Sequence, residues 1–415
     1  MLYSTKGKGV GGRIKQRVTD FIVEEIGLNE SKCSVQRFLA GRTVEGRSAK
    51  VPEKPVDKDQ LILVMEKFNL DQNTALRKIA RFLQTSRKRI GFAGMKDKRA
   101  LTCQKISIWN PKIELVEGFN ANNLDLRQAE WSDKRIELGD LKGNHFRITI
   151  RGIELSKEET KERIESLSTE LDKGIANYFG EQRFGGIRSV SHLVGKEIFK
   201  ENLKEAGLLY LTKTSEKEDE KITEARKTLA ETMDFKNALR MYPIPYRFER
   251  AMLNHLNVKP NDWKGAFNAL PKNLRLMFIH AFQSHLFNEI INERLKQGIG
   301  LKAVEDDVVD EQGFPTAPLI GFETVFAEGK IGGLEKKILE MEGIELHEFK
   351  VAVFPEMSSK GSRKRIVLKP LNPRLIGIEE DEINEGKIKA VIEFDLGKGD
   401  YATTILREIT KTESD

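Results

Sequence analysis

The sequence predicts an α+β protein, a sheet-rich domain interrupted by a mostly helical segment. Two patterns predict it. Alternating and β-branched runs typical of strands lie before residue 155 and again after residue 319, whereas amphipathic runs of helical period fill most of the stretch between them. The length of 415 residues agrees, because roughly 100 to 200 residues per domain is usual and the chain therefore has room for two or three domains.

The first 155 residues alternate strand patterns with one clear helix. From residue 73 the apolar positions recur at i, i+3, i+4 and i+7, which predicts a helix ending near Gln84. Arg77, Arg81 and Lys88 lie off its apolar face. Patterns typical of strands occupy the runs 13–26, 61–65, 90–93, 105–109 and 145–151. Such an alternation predicts helices packed on a sheet.

Beyond residue 155 the patterns become helical. Amphipathic or strongly charged runs cover 156–176, 216–231 and 273–296. Strand-like, β-branched runs return at 364–368 and 387–394, and the run 405–409 closes the chain. The simplest architecture is therefore a sheet domain with a helical insertion.

Composition gives a mild indication of a polyanionic partner. Lysine and arginine number 70 against 64 acidic residues, so the net charge is +6 and the pI is near 9.0. The basic residues concentrate in two clusters, one at Arg77-Lys78, Arg81 and Arg87-Lys88-Arg89, the other at Lys360, Arg363-Lys364-Arg365 and Lys369. Two clusters favour nucleic acid, although a solvated helix face explains the first about as well.

Several classes of protein are disfavoured. Cys33 and Cys103 are far apart and form no CxxC pattern, so neither a disulfide framework nor a thiolate zinc site is indicated. The six histidines show no HExxH pattern, which makes a metal-free protein the expectation. No apolar run approaches the roughly 20 residues that cross a bilayer, and no signal peptide is evident, so we expect a cytoplasmic protein without membrane contact.

The glycine-rich start of the chain matches a nucleotide-binding pattern without its context. Residues 7–12 satisfy GxGxxG, but no strand pattern precedes them and no helix pattern follows. We therefore expect a flexible, basic N-terminal arm rather than a dinucleotide site.

The most informative run is Gly91 to Ile108. It places one carboxylate, Asp97, among Lys96, Lys98 and Arg99, just before a strand-like stretch. Nearby cations favour the ionised carboxylate and can hold a phosphate backbone against it, which is what a nucleophile acting on RNA requires. An ordinary charged turn is the alternative interpretation of these residues alone.

A second run, Ala176 to Gly185, combines an acid with amides, an arginine and aromatic residues. Asn177, Gln182 and Arg183 can hydrogen-bond base edges or phosphate, and aromatic faces stack on unpaired bases at roughly 1 to 3 kcal/mol each. A helix C-cap with packed aromatic side chains explains the run equally well. The run 282–288 continues a helical apolar stripe and is expected to be mostly core.

Taken together, the motifs resemble the TruD family of tRNA pseudouridine synthases. The resemblance spans nearly the whole chain, and its motifs stand in the family's order: 94–99, 142–146, 177–185, 282–287 and 394–403. It implies a pseudouridine-synthase-type catalytic domain with a mixed, mainly antiparallel sheet flanked by helices, interrupted by an inserted α/β domain. The implied boundaries are 1–186 for the first part of the catalytic domain, 187–353 for the insertion and 354–415 for the second part.

The resemblance also implies a reaction and a set of residues. Asp97 would be the catalytic aspartate, attacking the ribose anomeric carbon or uracil C6 of a uridine that has flipped out of its stack, usually at position 13 of tRNA. No cofactor or metal is implied, and no obligatory protein partner. The residues implied or expected to contact the tRNA are Phe21, Glu24, Lys96, Arg99, Asn144, Phe146, Asn177, Gln182, Arg183 and Phe394. Among these, Phe394 matches the base-stacking position.

Two other functions stay open at this point. A non-catalytic tRNA-binding protein could keep the same fold, and its binding would survive the loss of Asp97. A hydrolase that releases uracil would need a second acid facing the first, and Glu24 or Glu181 could supply it.

Overall fold

The computed structural model describes residues 1–39 and 49–412. Its strands are β1 (Phe21–Ile26), β2 (Gln60–Phe68), β3 (Ile90–Phe92), β4 (Leu101–Trp109), β5 (Leu124–Ser132), β6 (Gly143–Ile153), β7 (Ile175–Ala176), β8 (Thr316–Leu319), β9 (Ser362–Arg365), β10 (Val367–Leu368), β11 (Leu371–Glu380) and β12 (Ile388–Gly397). Its α-helices are α1 (Gln72–Phe82), α2 (Ile113–Glu117), α3 (Lys157–Leu171), α4 (Ser191–Phe199), α5 (Leu203–Thr212), α6 (Glu220–Thr232), α7 (Phe235–Met241), α8 (Arg247–Val258), α9 (Trp263–Asn268), α10 (Lys272–Lys296), α11 (Gly329–Met341) and α12 (Ala402–Thr410).

The chain divides into two compact units. The sheet unit comprises Thr5–Ile175 together with the chain from Lys369 onward, and the helical unit comprises Met1–Ser4 and Ala176–Leu368. The helical unit is thus wider than the 187–353 expected for the insertion, and it includes the run 177–185. That this unit is the family's inserted domain stays a prediction.

The sheet unit is built on a mixed sheet. Its strands follow the order β11-β12-β6-β1-β4-β2-β5, and β3 pairs with β4 as well. Every neighbouring pair is antiparallel except β1 and β4, which are parallel. The predicted α+β class with a mixed, mainly antiparallel sheet is confirmed. Both chain ends contribute strands, since β11 and β12 extend the sheet from β6.

Helix α1 covers one face of this sheet. It begins after Asp71, whose carboxylate accepts a hydrogen bond from the Thr74 amide and so satisfies a free N–H of the first turn. Its apolar positions Leu76 and Ile79 are fully buried in a core shared with the inward-facing Leu61 of β2. The basic side chains of α1 are left on the exposed side, as the sequence predicts.

The N-terminal arm is held, so the prediction that it is flexible is wrong. The amides of Val10 and Gly11 donate to carbonyls at the end of α12, each at 2.9 Å. Thr5 Oγ1 donates to the buried Glu408 carboxylate at 2.7 Å. A Cβ on Gly9 would lie 2.3 Å from the Thr410 carbonyl oxygen, which is too close. The glycines therefore permit close backbone packing of this arm.

The helical unit packs around the long helix α10. Its core-facing residues Phe278, Phe282 and Leu286 are fully buried, so the prediction that the run 282–288 is mostly core is confirmed. His285 in the same run lies with Nε2 2.9 Å from the Glu342 carboxylate, which satisfies the imidazole. Strands β8 and β9 form a small antiparallel pair in this unit.

Candidate active site

The Asp97 loop connects β3 to β4 and is fixed through its backbone. The ammonium of Lys67 donates to the Asp97 carbonyl, and lies 3.4 Å from the Lys96 carbonyl oxygen. The amide Nε2 of Gln104 donates to the Gly94 carbonyl at 3.1 Å. Side chains from β2 and β4 thus satisfy carbonyls of a loop that has no ladder hydrogen bonds of its own. The position of Asp97 is set by the sheet beneath it.

The carboxylate of Asp97 is accessible and paired with one cation. Lys15 Nζ lies 3.0 Å from Asp97 Oδ1, and the Asp97 side chain keeps 39% of its surface exposed. The same ammonium lies 3.8 Å from the centroid of the Phe21 ring, so a cation–π contact holds it in place. An exposed carboxylate with a fixed counter-ion behind it can act as a nucleophile.

Lys96 is turned inward, unlike the expected contact with a phosphate backbone. Its ammonium lies 2.7 Å from Glu25 Oε2, and the two side chains are only 2% and 3% exposed. The other Glu25 oxygen accepts the Lys105 amide at 3.1 Å. Burial leaves the Lys96 ammonium no path to solvent, so this ion pair anchors the loop residue next to Asp97.

Lys67 is a buried lysine close to Asp97. Burial lowers the pKa of Lys67 to about 8, and the negative charge of Asp97 opposes this shift. At neutral pH the side chain is therefore still protonated and can donate to both loop carbonyls. Its role in the site was not predicted, because the strand pattern was recognised only over 61–65 and Lys67 lies beyond it in the observed β2.

The shifted pKa of Lys67 predicts how stability depends on pH. The native state binds this proton less tightly than the unfolded chain, so the native state gains stability as pH rises from about 8 toward the unfolded value. Between about pH 7 and about pH 9.5 this gain amounts to about 2 kcal/mol for wild type and is absent from Lys67→Met. Urea unfolding at both pH values measures the difference between the two proteins.

Lys387, a half-buried surface lysine with 40% of its side chain exposed, supplies the matched control for this experiment. Lys387→Met removes the same charge from the surface, and its unfolding free energy should follow wild type across the pH range. Parallel pH curves for wild type and Lys67→Met would contradict a buried, destabilised ammonium at this position.

Three aromatic rings lie on the same side of the sheet as the Lys15 ammonium. Phe21 and Phe146 meet edge to face with centroids 6.1 Å apart, and Phe146 stacks on Phe394 at 5.5 Å with an interplanar angle of 22°. The register aligns Phe146 with both Val23 and Phe394, which places the rings on neighbouring strands. Phe394, which matches the family's base-stacking position, lies within β12 and is only 1% exposed.

Asn144 and Arg99 have hydrogen-bonding groups that the rest of the described chain does not satisfy. Asn144 is paired in register with Glu25, and its Oδ1 is buried without a hydrogen-bond donor. Arg99 is exposed and donates only to the Gln16 carbonyl, at 3.2 Å. Asn144 thus offers an acceptor beside the ion pair of the loop, and Arg99 offers a solvent-facing guanidinium on the loop itself.

Glu24 lies on the opposite face of β1 from Phe21 and Glu25, because successive strand residues alternate. Its carboxylate accepts the Val35 amide at 2.7 Å and lies 3.2 Å from Lys32 Nζ. The structure therefore does not bring Glu24 to Asp97, and its expected role in substrate binding stays a prediction without geometric support.

The remaining predicted residues belong to the helical unit. Asn177 donates through its amide Nδ2 to the Arg365 carbonyl at 3.2 Å, and Arg183 donates through Nε to Ser284 Oγ at 3.0 Å. Gln182 is exposed, and its side chain has no hydrogen bond within residues 1–39 and 49–412.

The predicted helix over 156–176 ends earlier, at Leu171. Gly185, the last residue of the run 176–185, has φ +100° and ends the short 3-10 helix Glu181–Phe184.

Sequence reasoning missed three residues that fix the loop: Lys15, Glu25 and Lys67. Glu25 follows Glu24 in the N-terminal motif, and alternation of the strand was the signal that could have separated the two. Lys15 carried no signal, because it lies in an irregular segment with a positive φ of 58°.

Metal and membrane features are not found in the described parts of the chain. Histidine, cysteine, aspartate and glutamate side chains of residues 1–39 and 49–412 form no group of three or more that could hold a metal ion. No helix within residues 1–39 and 49–412 combines the length and the apolar character needed to cross a bilayer.

Comparison with known proteins gives a consistent result. The model of the family described as "tRNA pseudouridine synthase D (TruD)" matches residues 1–313 and 302–409. A protein of Methanosarcina acetivorans named "Probable tRNA pseudouridine synthase D" is 42% identical, over 99% of this chain and 95% of that protein. A protein of Methanopyrus kandleri with the same name is 36% identical, over 85% and 86%.

A solved structure is similar over the whole length. The crystal structure of a TruD protein from Methanosarcina mazei superposes with a TM-score of 0.80 at 40% identity, covering 100% of this chain and 96% of that chain. The family model and the relatives match the chain over most of its length, and the solved structure shares its fold. The chain therefore belongs to the TruD family of tRNA pseudouridine synthases.

Proposed function

We propose that this protein is an isomerase that converts uridine to pseudouridine in tRNA, with Asp97 as the nucleophile. The observation that supports this most directly is the exposed Asp97 carboxylate, paired with Lys15 at 3.0 Å on a loop fixed by the sheet. A nucleophilic carboxylate needs access to the substrate and a fixed direction, and this loop provides both. The usual family target, position 13 of tRNA, is the expected site of modification.

The reaction conserves atoms. Asp97 attacks the ribose anomeric carbon or uracil C6, and the N1 glycosidic bond breaks. The base turns over, a new bond joins C5 to the ribose carbon, and the bond to Asp97 breaks, which restores the carboxylate. C5 loses its proton and N1 gains one. No oxidant, reductant or cofactor enters this balance. Lys15 compensates the charge of the carboxylate before attack.

The base must leave its stack to reach Asp97, and an aromatic pocket lowers the cost of unstacking. Phe21, Phe146 and Phe394 would form the apolar wall beside the flipped uracil. Because Phe394 is 1% exposed, direct stacking on its ring requires that side chain to be uncovered when RNA binds. The unpaired Oδ1 of Asn144 would accept the uracil N3–H, and Arg99 would bind a phosphate.

The helical unit would contribute further tRNA contacts. Gln182, exposed at the start of a glycine-bounded turn, would reach a base edge, and Asn177 and Arg183 would shape that turn through their bonds to the unit's own core. The predicted insertion, residues 187–353, forms the greater part of this unit.

The hydrolase alternative has less support than the isomerase. Release of uracil by two carboxylates requires a second acid facing Asp97. Glu24 is on the other face of β1 and is paired with Lys32. Glu181, in the helical unit, stays the remaining candidate for that second acid.

The test is tritium release from tRNA labelled at uracil C5. Pseudouridine formation replaces the C5 hydrogen, so the purified protein should release tritium into water with a chelator present. Nucleosides from the product should contain pseudouridine of unchanged mass and no free uracil. Free uracil would establish the hydrolase, and tight tRNA binding without tritium release would establish the non-catalytic alternative.

A further inference from the structure

The exposed side of α1 and the turn after it form a strongly basic surface. We call it the α1 basic face and define it by Arg77, Lys78, Arg81, Arg87, Lys88 and Arg89. All are exposed except Arg87, which is half-buried. On the helix, Arg77, Lys78 and Arg81 fall within about 100° of arc, so their charges point in similar directions.

The α1 basic face has no acidic partners in the described parts of the chain. Arg77 donates to Thr74 Oγ1 at 3.1 Å, and Arg87 donates to Asn73 Oδ1 at 2.8 Å. Lys78 lies 3.5 Å from a backbone carbonyl oxygen. These partners are neutral, so they leave the positive charge uncompensated.

The second basic cluster of the sequence differs in this respect. Arg363 binds the buried Glu335 at 2.6 Å, and Arg365 binds Asp310 at 2.6 Å. Lys360 lies 3.3 Å from Glu323. These cations form ion pairs with acidic residues of the helical unit, whereas the cations of the α1 basic face form no ion pair with acidic residues described in the sheet unit.

Stability alone does not favour such an arrangement. Like charges spaced i, i+4 on a helix, as Arg77 and Arg81 are, destabilise it by about 0.2 to 0.5 kcal/mol per pair. The helix would hold its place without them, because Leu76 and Ile79 bury its apolar side. The uncompensated charge therefore indicates a partner that is itself negatively charged.

An exposed aromatic residue extends the surface. Trp109, at the end of β4, is 39% exposed, and the guanidinium of Arg89 lies 4.4 Å from the centroid of its ring. Cations interleaved with an exposed aromatic ring are typical of surfaces that bind nucleic acid, where rings stack on bases and cations bind phosphates.

We propose that the α1 basic face, extended by Trp109, binds the phosphate backbone of the RNA at a point remote from the reacting uridine. This proposal rests on the proposed function, which identifies that RNA as tRNA. Lys67, which holds the Asp97 backbone, pairs in register with Thr102. At about 3.3 Å per residue, Trp109 lies about 23 Å along β4 from Thr102. The Trp109 end of the surface therefore lies too far from Asp97 for contact with the reacting base, and we expect the surface to contribute to affinity rather than to the chemical step.

A lipid surface fits these observations less well. Helices that lie on membranes insert an apolar face beside their cations. The apolar face of α1 is instead buried in the core of the sheet unit, where Leu76 and Ile79 contact no solvent. Binding to anionic vesicles is accordingly an outcome that the experiment must distinguish.

The experiment compares the affinity for unmodified tRNA of wild type and the triple variant Arg77→Gln/Arg81→Gln/Lys88→Gln. Fluorescence anisotropy gives Kd over a series of KCl concentrations. Three lost phosphate contacts should weaken binding by about tenfold or more and reduce the slope of log Kd against log salt by about 2 to 3. The rate at saturating tRNA should stay at the wild-type value.

A matched control removes the same charge from elsewhere on the sheet unit. The triple variant Lys157→Gln/Lys161→Gln/Lys387→Gln takes away three surface lysines that already pair with Glu380, Glu165 and Glu154. Because those cations are compensated, its Kd and salt slope should stay near wild type. If both triple variants lost equal tRNA affinity and salt dependence, the cause would be the change in net charge, and the proposal would be overturned.

Tryptophan fluorescence gives a measurement independent of charge. Of the three tryptophans, Trp131 and Trp263 are buried, so acrylamide quenching reports mainly on Trp109. Saturating tRNA should protect Trp109 from acrylamide. Unchanged quenching would contradict the proposal, as would competition by anionic vesicles at equal lipid phosphate.

The two proposals fail separately. If wild type releases no tritium but the triple variant still loses affinity and salt dependence, the proposed reaction falls and the RNA surface stands. If wild type releases tritium and both triple variants bind equally well, the reaction stands and the role of the α1 basic face falls.

Discussion

Asp97→Asn should lower tritium release from C5-labelled tRNA by at least about 10³-fold, equivalent to about 4 kcal/mol of transition-state stabilisation. Asparagine keeps the size of the side chain and an oxygen that Lys15 can still donate to, so the loop should hold its place. Its amide cannot form the covalent bond that the reaction requires. The tRNA affinity should be unchanged or slightly higher, because one negative charge facing a polyanion is removed.

The matched control for this substitution is Asp133→Asn, which neutralises an exposed aspartate elsewhere on the sheet unit. It should keep wild-type activity. Parallel loss of activity and affinity in Asp97→Asn would indicate that the carboxylate supports the structure of the loop, and residual activity above about a tenth of wild type would exclude Asp97 as the nucleophile.

The local patterns in the sequence predicted the helix α1 well, and the reason is physical. Its apolar spacing was regular, and it is observed as Gln72–Phe82 against a predicted 73–84. Strand β4 starts at Leu101, four residues earlier than predicted. Thr102 and Gln104 interrupt the apolar pattern there, yet both are fully buried, and the Gln104 amide donates to the Gly94 carbonyl of the loop.

Strand β11 was not predicted from the sequence, for a different reason. It is an edge strand in which most side chains are exposed, and it contains Pro373 and Gly377, which weaken a strand pattern. Only pairing with β12 makes it a strand, and such pairing is not encoded in a short window of sequence.

The site shows the same division between local and long-range information. Asp97 could be singled out from its neighbours in the chain, since a carboxylate among cations is a local pattern. The residues that hold the Asp97 loop in place could not be predicted in this way. Lys67 and Glu25 reach the loop only through the register of β2 and β1 against β4, over sequence separations that no periodicity reports. The two basic clusters likewise look alike in sequence and differ only in their partners.

The buried pair Lys96–Glu25 leads to the second large expected effect, this time on folding. Lys96→Met should lower the free energy of unfolding by about 3 to 5 kcal/mol, because it leaves the Glu25 carboxylate buried without its counter-ion. Glu25→Gln should cost a similar amount by stranding the ammonium, while still accepting the Lys105 amide. Urea denaturation of both variants measures these losses.

The double variant Lys96→Met/Glu25→Gln distinguishes the ion pair from simple packing. Removing both charges removes the desolvation cost of each, so the double variant should be more stable than the sum of the single losses predicts, by at least about 1 kcal/mol. Additive losses would mean that the two side chains act independently. If the double variant folds but releases tritium more slowly at saturating tRNA, the pair has a second role, because Lys96 adjoins Asp97 and fixes the direction of its carboxylate.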